Sequence, residues 1–321
     1  MSPQQILEQL SQKGITSEQE TTQLVDFEQH NLFSVHWELR TILYFGVTML
    51  SSGLGILIYK NIDSIGHGVL IALIGLLSAA CFYYAWKHRK PFSPQLVESD
   101  SPFADYALLL ACLTFLTMEG YWQYQYNIFG ERYGLVTFIP AVLFLCCAYY
   151  FDHRGVLSMG LTAFASWVGL TVTPLGVFQN NFSDTYIVMT AVLVGSIFVL
   201  VGWLSERYDF KKHFSFTYIL LGGNLALIAS LVGLIGNEML LYFVPLALLC
   251  VTMVWYARRT QSFFFLLMGV VYGYIGITYL LIRMLDGIDQ IFWLGQFYFA
   301  FTAVMVIYFF LSYKKILGTT K

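Results

Sequence analysis

Residues 185–204 read TYIVMTAVLVGSIFVLVGWL, twenty positions without one charged side chain. A helix rises about 1.5 Å per residue, so this stretch spans roughly 30 Å, the depth of a bilayer's hydrocarbon core. Its apolar character is continuous rather than alternating, which suits a membrane helix and not a barrel strand. Nine more stretches of similar kind lie on either side of it. The ten spans are expected at about 39–59, 66–86, 104–126, 133–151, 156–177, 185–204, 215–235, 238–256, 262–283 and 290–312. Short polar breaks separate them, the pattern of an up-and-down bundle. The expected fold is all-α integral membrane: a bundle of about ten transmembrane helices behind a short N-terminal cytoplasmic helical hairpin.

Composition agrees. Of 321 residues, 58% are hydrophobic and 11% charged, against about 25% charged in soluble domains. Mean hydropathy is +0.66. These values exclude a disordered chain and an ordinary soluble enzyme. The net charge of −2 lacks the basic excess of a nucleic-acid binder, so the expected partner is the lipid bilayer. Cys81, Cys112, Cys146, Cys147 and Cys250 sit in apolar runs with no CxxC or Cys/His spacing, and read as small buried side chains.

Residues 1–36 are polar and acidic. Ser2-Pro3 opens a first short helix with Ile6, Leu7 and Leu10 on one stripe, and Gly14 closes it. Ser17 and Glu20 fit a capping box for a second helix ending near Asn31. No basic start and apolar core mark a signal peptide, so the first span is expected to be its own insertion signal. The expected organisation is a cytoplasmic hairpin over 1–36, a polytopic domain over 37–315 and a cytoplasmic tail over 316–321.

Orientation follows from Lys and Arg in the loops. With the N-terminus inside, one side holds Lys13, Arg40, Lys87, Arg89, Lys90, Arg154, Arg207, Lys211, Lys212, Arg258, Arg259, Lys314, Lys315 and Lys321. The other holds Lys60, Arg132 and Arg283, which completes the seventeen. Both termini are therefore expected in the cytoplasm. Asp63, Glu131, Asp184, Glu238, Asp286 and Asp289 fall at the outer turns, where they suit helix N-caps. Outer turns such as Asn61-Ile62-Asp63 and Asn127-Ile128-Phe129-Gly130 suggest five tandem hairpins closed on that side.

The first hundred residues carry a pattern of their own: Gly14-Ile15-Thr16-Ser17-Glu18-Gln19, a Gly-rich span from Gly46 to Gly55, then Asn61-Ile62-Asp63-Ser64-Ile65. Over roughly residues 4–90 this resembles the bacterial predicted membrane proteins of the domain of unknown function 2157 family. The resemblance implies a multi-pass protein of the bacterial inner (cytoplasmic) membrane. It implies no catalytic residues.

Ionisable groups within spans are costly and mark candidate sites. Glu119, Trp122, Gln123 and Tyr126 recur at i, i+3, i+4 and i+7 in the third span. A carboxylate beside amides and rings suits a cation, a proton, a sugar or a headgroup. An interfacial aromatic belt is the plainer reading. Arg283 and Asp286 form an i, i+3 pair suited to a headgroup clamp or a helix cap. Asn224 and Gln296 suit interhelical hydrogen bonds, Pro140 and Pro174 suit kinks, and Gly269-x-x-x-Gly273 with Gly276 suits a close helix contact. The candidate ligand-binding set is Glu119, Trp122, Gln123, Tyr126, Asn224, Arg283 and Asp286. No catalytic motif, metal-ligand spacing or cofactor fingerprint is present, so no cofactor and no catalytic residue is expected.

Two functions fit. The favoured one is a non-catalytic sensor, regulatory or assembly module with a protein partner held through residues 1–36. The alternative is a transporter or flippase for a small solute or lipid-linked substrate that uses Glu119. Oligomerisation is compatible with both.

Overall fold

The computed structural model describes residues 36–97, 102–130, 132–172, 184–236, 239–285 and 291–318. The leader hairpin expected over 1–36 lies outside them, save for His36. The chain divides into two compact units, Met1–Leu54 and Gly55–Lys321.

In the first unit the described structure is helical. Helix α1 (His36–Ile65) begins here and presents Leu39, Ile42, Phe45, Met49 and Leu50 outward. Exposed apolar side chains of this kind suit lipid. Three of its hydroxyls bond back to their own helix: Thr48 donates to the Phe45 carbonyl, Ser51 to Val47 and Ser52 to Thr48.

The second unit carries α1 to Ile65 and then α2 (His67–Lys87), α3 (Pro102–Tyr126), α4 (Tyr133–Phe151), α5 (Arg154–Val172) and α6 (Thr185–Arg207). A 3-10 turn (Lys212–Phe214) leads into α7 (Ser215–Ile235), followed by α8 (Met239–Thr260), α9 (Phe263–Leu285) and α10 (Ile291–Leu317). All ten helices are long and apolar enough to cross a bilayer. No strand occurs among the described residues.

The span boundaries expected from hydropathy are met within a few residues at most ends. The clearest exception is the first. Asn61-Ile62-Asp63, expected as a turn, is helical. The segment holds neither Gly nor Pro, so nothing in it stops propagation. The break falls at Gly66, whose φ of 81° is open to glycine and strained for other residues. At the far end α10 continues past the expected limit to Leu317, and Gly318 (φ 73°) ends it.

Helix pairing also departs from expectation. The extensive pairs are α2 with α3, α4 with α5, α6 with α7 and α8 with α9. Each is closed on the side that carries Lys87, Arg154, Arg207 and Arg259, here called the basic face. The tandem hairpins read from the opposite turns are thus out of phase by one span. Two of the basic-face turns are tight. Between α4 and α5, Asp152 is left-handed (φ 59°), and His153 Nδ1 accepts the Val156 N–H at 3.1 Å. Between α8 and α9, Gln261 takes the left-handed step (φ 53°).

Small residues set the closest approaches. A Cβ on Gly195 of α6 would lie 2.6 Å from the Gly222 carbonyl oxygen of α7, so only glycine fits. The Gly269 contact expected from its spacing forms inside the chain, where a Cβ would lie 2.9 Å from the Cys250 oxygen on α8. Near the basic face, Leu157 and Leu161 of α5 meet Phe198, Phe214 and Tyr218 in one apolar cluster. There the Tyr149 and Tyr218 hydroxyls share a 3.0 Å hydrogen bond, joining the α4–α5 hairpin to the α6–α7 hairpin.

Candidate functional site

Helix α3 places Glu119 about two turns from its end opposite the basic face. Glu119 is only 4% exposed, and both carboxyl oxygens lack a hydrogen-bond partner among the described residues. Its neighbours bind α3 to α2. Met118 fills the space left by Gly75, where a Cβ would approach the sulfur to 2.9 Å. The Tyr121 hydroxyl meets His67 Nδ1 at 2.6 Å, and Ser78 donates to the Ala111 carbonyl at 2.9 Å.

The other three residues of the proposed face have different surroundings. Gln123 organises the α3–α4 turn: its amide donates to Asn127 Oδ1 and to the Gly130 carbonyl, and it accepts the Phe129 N–H. Trp122 and Tyr126 are exposed. The helical repeat brought the four together on paper; the turn recruits one of them, and two lie open to the surroundings.

Asn224 makes an interhelical bond. Tyr272 of α9 donates to its Oδ1 at 2.8 Å, and its Nδ2 donates to the Leu220 carbonyl. Gln296 is exposed on α10. Arg283 donates to the Tyr279 hydroxyl at 3.3 Å, which in turn donates to the Ile235 carbonyl. Asp286 and Pro174 lie outside the described residues. Asp184 caps α6 as expected, accepting the Tyr186 N–H at 2.8 Å. Among the described residues no three His, Cys, Asp or Glu side chains converge to hold a metal.

A second constellation was not singled out by sequence. On the basic face, Asp152 gathers three segments. Its Oδ2 accepts the Val97 N–H at 2.7 Å. Its Oδ1 receives Lys211 Nζ at 3.0 Å and also bonds His213 Nε2. Asp152 and Lys211 side chains are 3% and 1% exposed. Lys211 is left-handed (φ 50°), and its backbone N–H donates to the Pro94 carbonyl at 2.8 Å. The rings of Phe92 and Phe214 flank its ammonium. A cavity of about 30 Å³ adjoins the pair, lined among others by Arg89, Asp105 and Tyr150, with room for about two waters. Loop charges carry one sequence signal, their sign for topology. Nothing in the spacing of Val97, Asp152 and Lys211 announces that three loops meet.

A related clasp joins α6 and α8. Tyr256 donates to Glu206 Oε2 at 2.8 Å, and Arg259 reaches Glu206 Oε1 at 3.8 Å. Arg207 and Arg259 lie over Trp203 and Trp255, the amphipathic pairing of a membrane–water boundary.

Among the described residues, ten helices long and apolar enough to cross a bilayer, eight of them in four close pairs, define a multi-span helical membrane protein. Residues 8–157 match the family model described as predicted membrane protein (DUF2157). The match extends the resemblance drawn on the first ninety residues through the fourth span. No curated protein and no solved structure matches the chain.

Proposed function

We propose that the protein is a non-catalytic membrane module, a sensor, regulator or assembly partner, rather than a conduit. One observation supports this reading above others: several polar side chains set within its spans bind the bundle to itself. Asn224 is engaged with Tyr272, Tyr149 with Tyr218 and Ser78 with Ala111, while Gln123 braces a turn. Glu119 is enclosed by protein. A translocation path would instead present such groups to a solvated cavity.

In this reading the basic face is cytoplasmic, both termini lie there, and the membrane is the bacterial inner one. The excess of Lys and Arg on that side supports the orientation. Residues 1–36 are the element that engages a protein partner.

The test compares the full chain with a chain lacking residues 1–34, each extracted from native membranes in mild detergent. On native gels the full chain is expected to migrate as a complex and the truncated chain as a lone folded bundle. Identical migration of both overturns the partner assignment. Solute flux or lipid scrambling in reconstituted vesicles, abolished by Glu119→Gln, overturns the module reading in favour of transport.

A further inference from the structure

The α4–α5 and α6–α7 hairpins meet near the basic face and part toward the opposite one. Their shared cluster holds Leu157, Leu161, Phe198 and Phe214. The close Gly195–Gly222 contact fixes α6 on α7 at mid-span. Beyond these points lies a cavity of about 730 Å³, walled by α4, α5, α6 and α7. It is far larger than the cavity beside Asp152, and of a size that holds a ligand.

Its chemistry is uniform. Among the described residues no charged side chain lines it; Val188, Leu225, Ile228 and Val232 form much of the wall. Three of its four hydroxyls are already satisfied by their own helices: Thr137 donates to Gly134, Thr162 to Ser158 and Ser166 to Thr162. A polar or ionic solute would find few free donors and would lose its hydration. An extended hydrocarbon would lose nothing. The groove also lies along the apolar length of the spans, at the depth where acyl chains are the solvent. Gly169 on its α5 wall leaves open space, with nothing within 4 Å of where its Cβ would stand.

We propose that this groove is a binding site for one hydrocarbon chain of a membrane phospholipid. Recognition is by the chain and not by the headgroup, since the described lining carries no charge. The proposal is independent of the module reading, because a lipid can be held by a regulator or by a carrier alike.

The test is native mass spectrometry of the full chain, delipidated and then titrated with phosphatidylethanolamine or phosphatidylglycerol. One tightly held lipid per chain is expected, with similar retention for both headgroups. Gly169→Trp, which projects into the open space, and Thr190→Phe on the facing α6 wall are each expected to weaken retention about tenfold or more, as several methylenes are displaced. Gly120→Ala on α3, away from the groove and with nothing within 4 Å of its Cβ position, serves as the neutral control. Melting temperatures of all three variants report that the bundle is intact. Unchanged lipid retention in both filled variants overturns the proposal. So does strong dependence on headgroup, or a disulfide formed readily between cysteines placed at Gly169 and Phe178, which would make the chain's own segment the occupant.

Discussion

The Lys211 ammonium stands 3.0 Å from Asp152 Oδ1, across fifty-nine positions of chain, with both side chains almost sealed from solvent. A charge so enclosed is tolerable only while its partner is present. Removing the carboxylate leaves the ammonium buried and also frees the Val97 N–H and His213. Asp152→Ala is therefore expected to destabilise the bundle by about 3–5 kcal/mol. Thermal unfolding in detergent measures this. Asp152→Asn with Lys211→Met removes both charges and should recover a large part of the loss; a double variant no better than Asp152→Ala contradicts the pairing.

The Gly195–Gly222 approach leaves no room for a side chain, with the carbonyl oxygen of one helix 2.6 Å from the Cβ position of the other. Gly195→Val should cost at least about 1–3 kcal/mol through overpacking, seen as lost monodisperse protein on size exclusion. Gly46→Val, where a Cβ meets nothing within 4 Å, should leave the elution profile unchanged.

The Tyr272 hydroxyl donates to the Asn224 amide oxygen in a hydrogen bond between two spans. Tyr272→Phe and Asn224→Leu are each expected to lower stability, and a double-mutant cycle should return a coupling of about 0.6 kcal/mol, the usual size within membranes. Strict additivity would mean that the bond contributes nothing.

Glu119 contributes no hydrogen bond among the described residues yet is almost wholly enclosed. An enclosed polar group without a partner costs on the order of 1–3 kcal/mol. Glu119→Leu should consequently raise the melting temperature, and Glu119→Gln should leave it near its starting value. A fall in both variants would reveal a partner that holds the carboxyl.

An even number of spans, ten among the described residues, is expected to return the chain to the side from which it started. Reporter fusions at residue 30 and at the C-terminus should give the same cytoplasmic signal. Opposite signals would remove one span from the count.

Much of the fold was legible because membrane helices advertise themselves by length and apolarity, properties local to a segment. The α4 limits, Tyr133–Phe151, coincide with the hydropathic reading, and Asp184 caps α6 as its position before a span suggested. The continuation of α1 through Asn61-Ile62-Asp63 was hidden because polar residues resemble a turn, while the backbone stops only at Gly66. The site was less legible. Helical spacing groups Gln123 with Glu119, but an amide within one turn of a helix end is captured by the turn that follows. The Asp152 cluster was invisible for the opposite reason: its members are distant in sequence, and only the closed bundle makes them neighbours.

The phasing of the helix pairs has a bearing on biogenesis. Because α2, α4, α6 and α8 each pack mainly on the helix that follows directly, every one of them meets its mate as soon as the ribosome has delivered the next segment. Short loop closures cost little entropy. The polypeptide can thus zip up two rods at a time in the order of translation, and the couples then need only dock side by side.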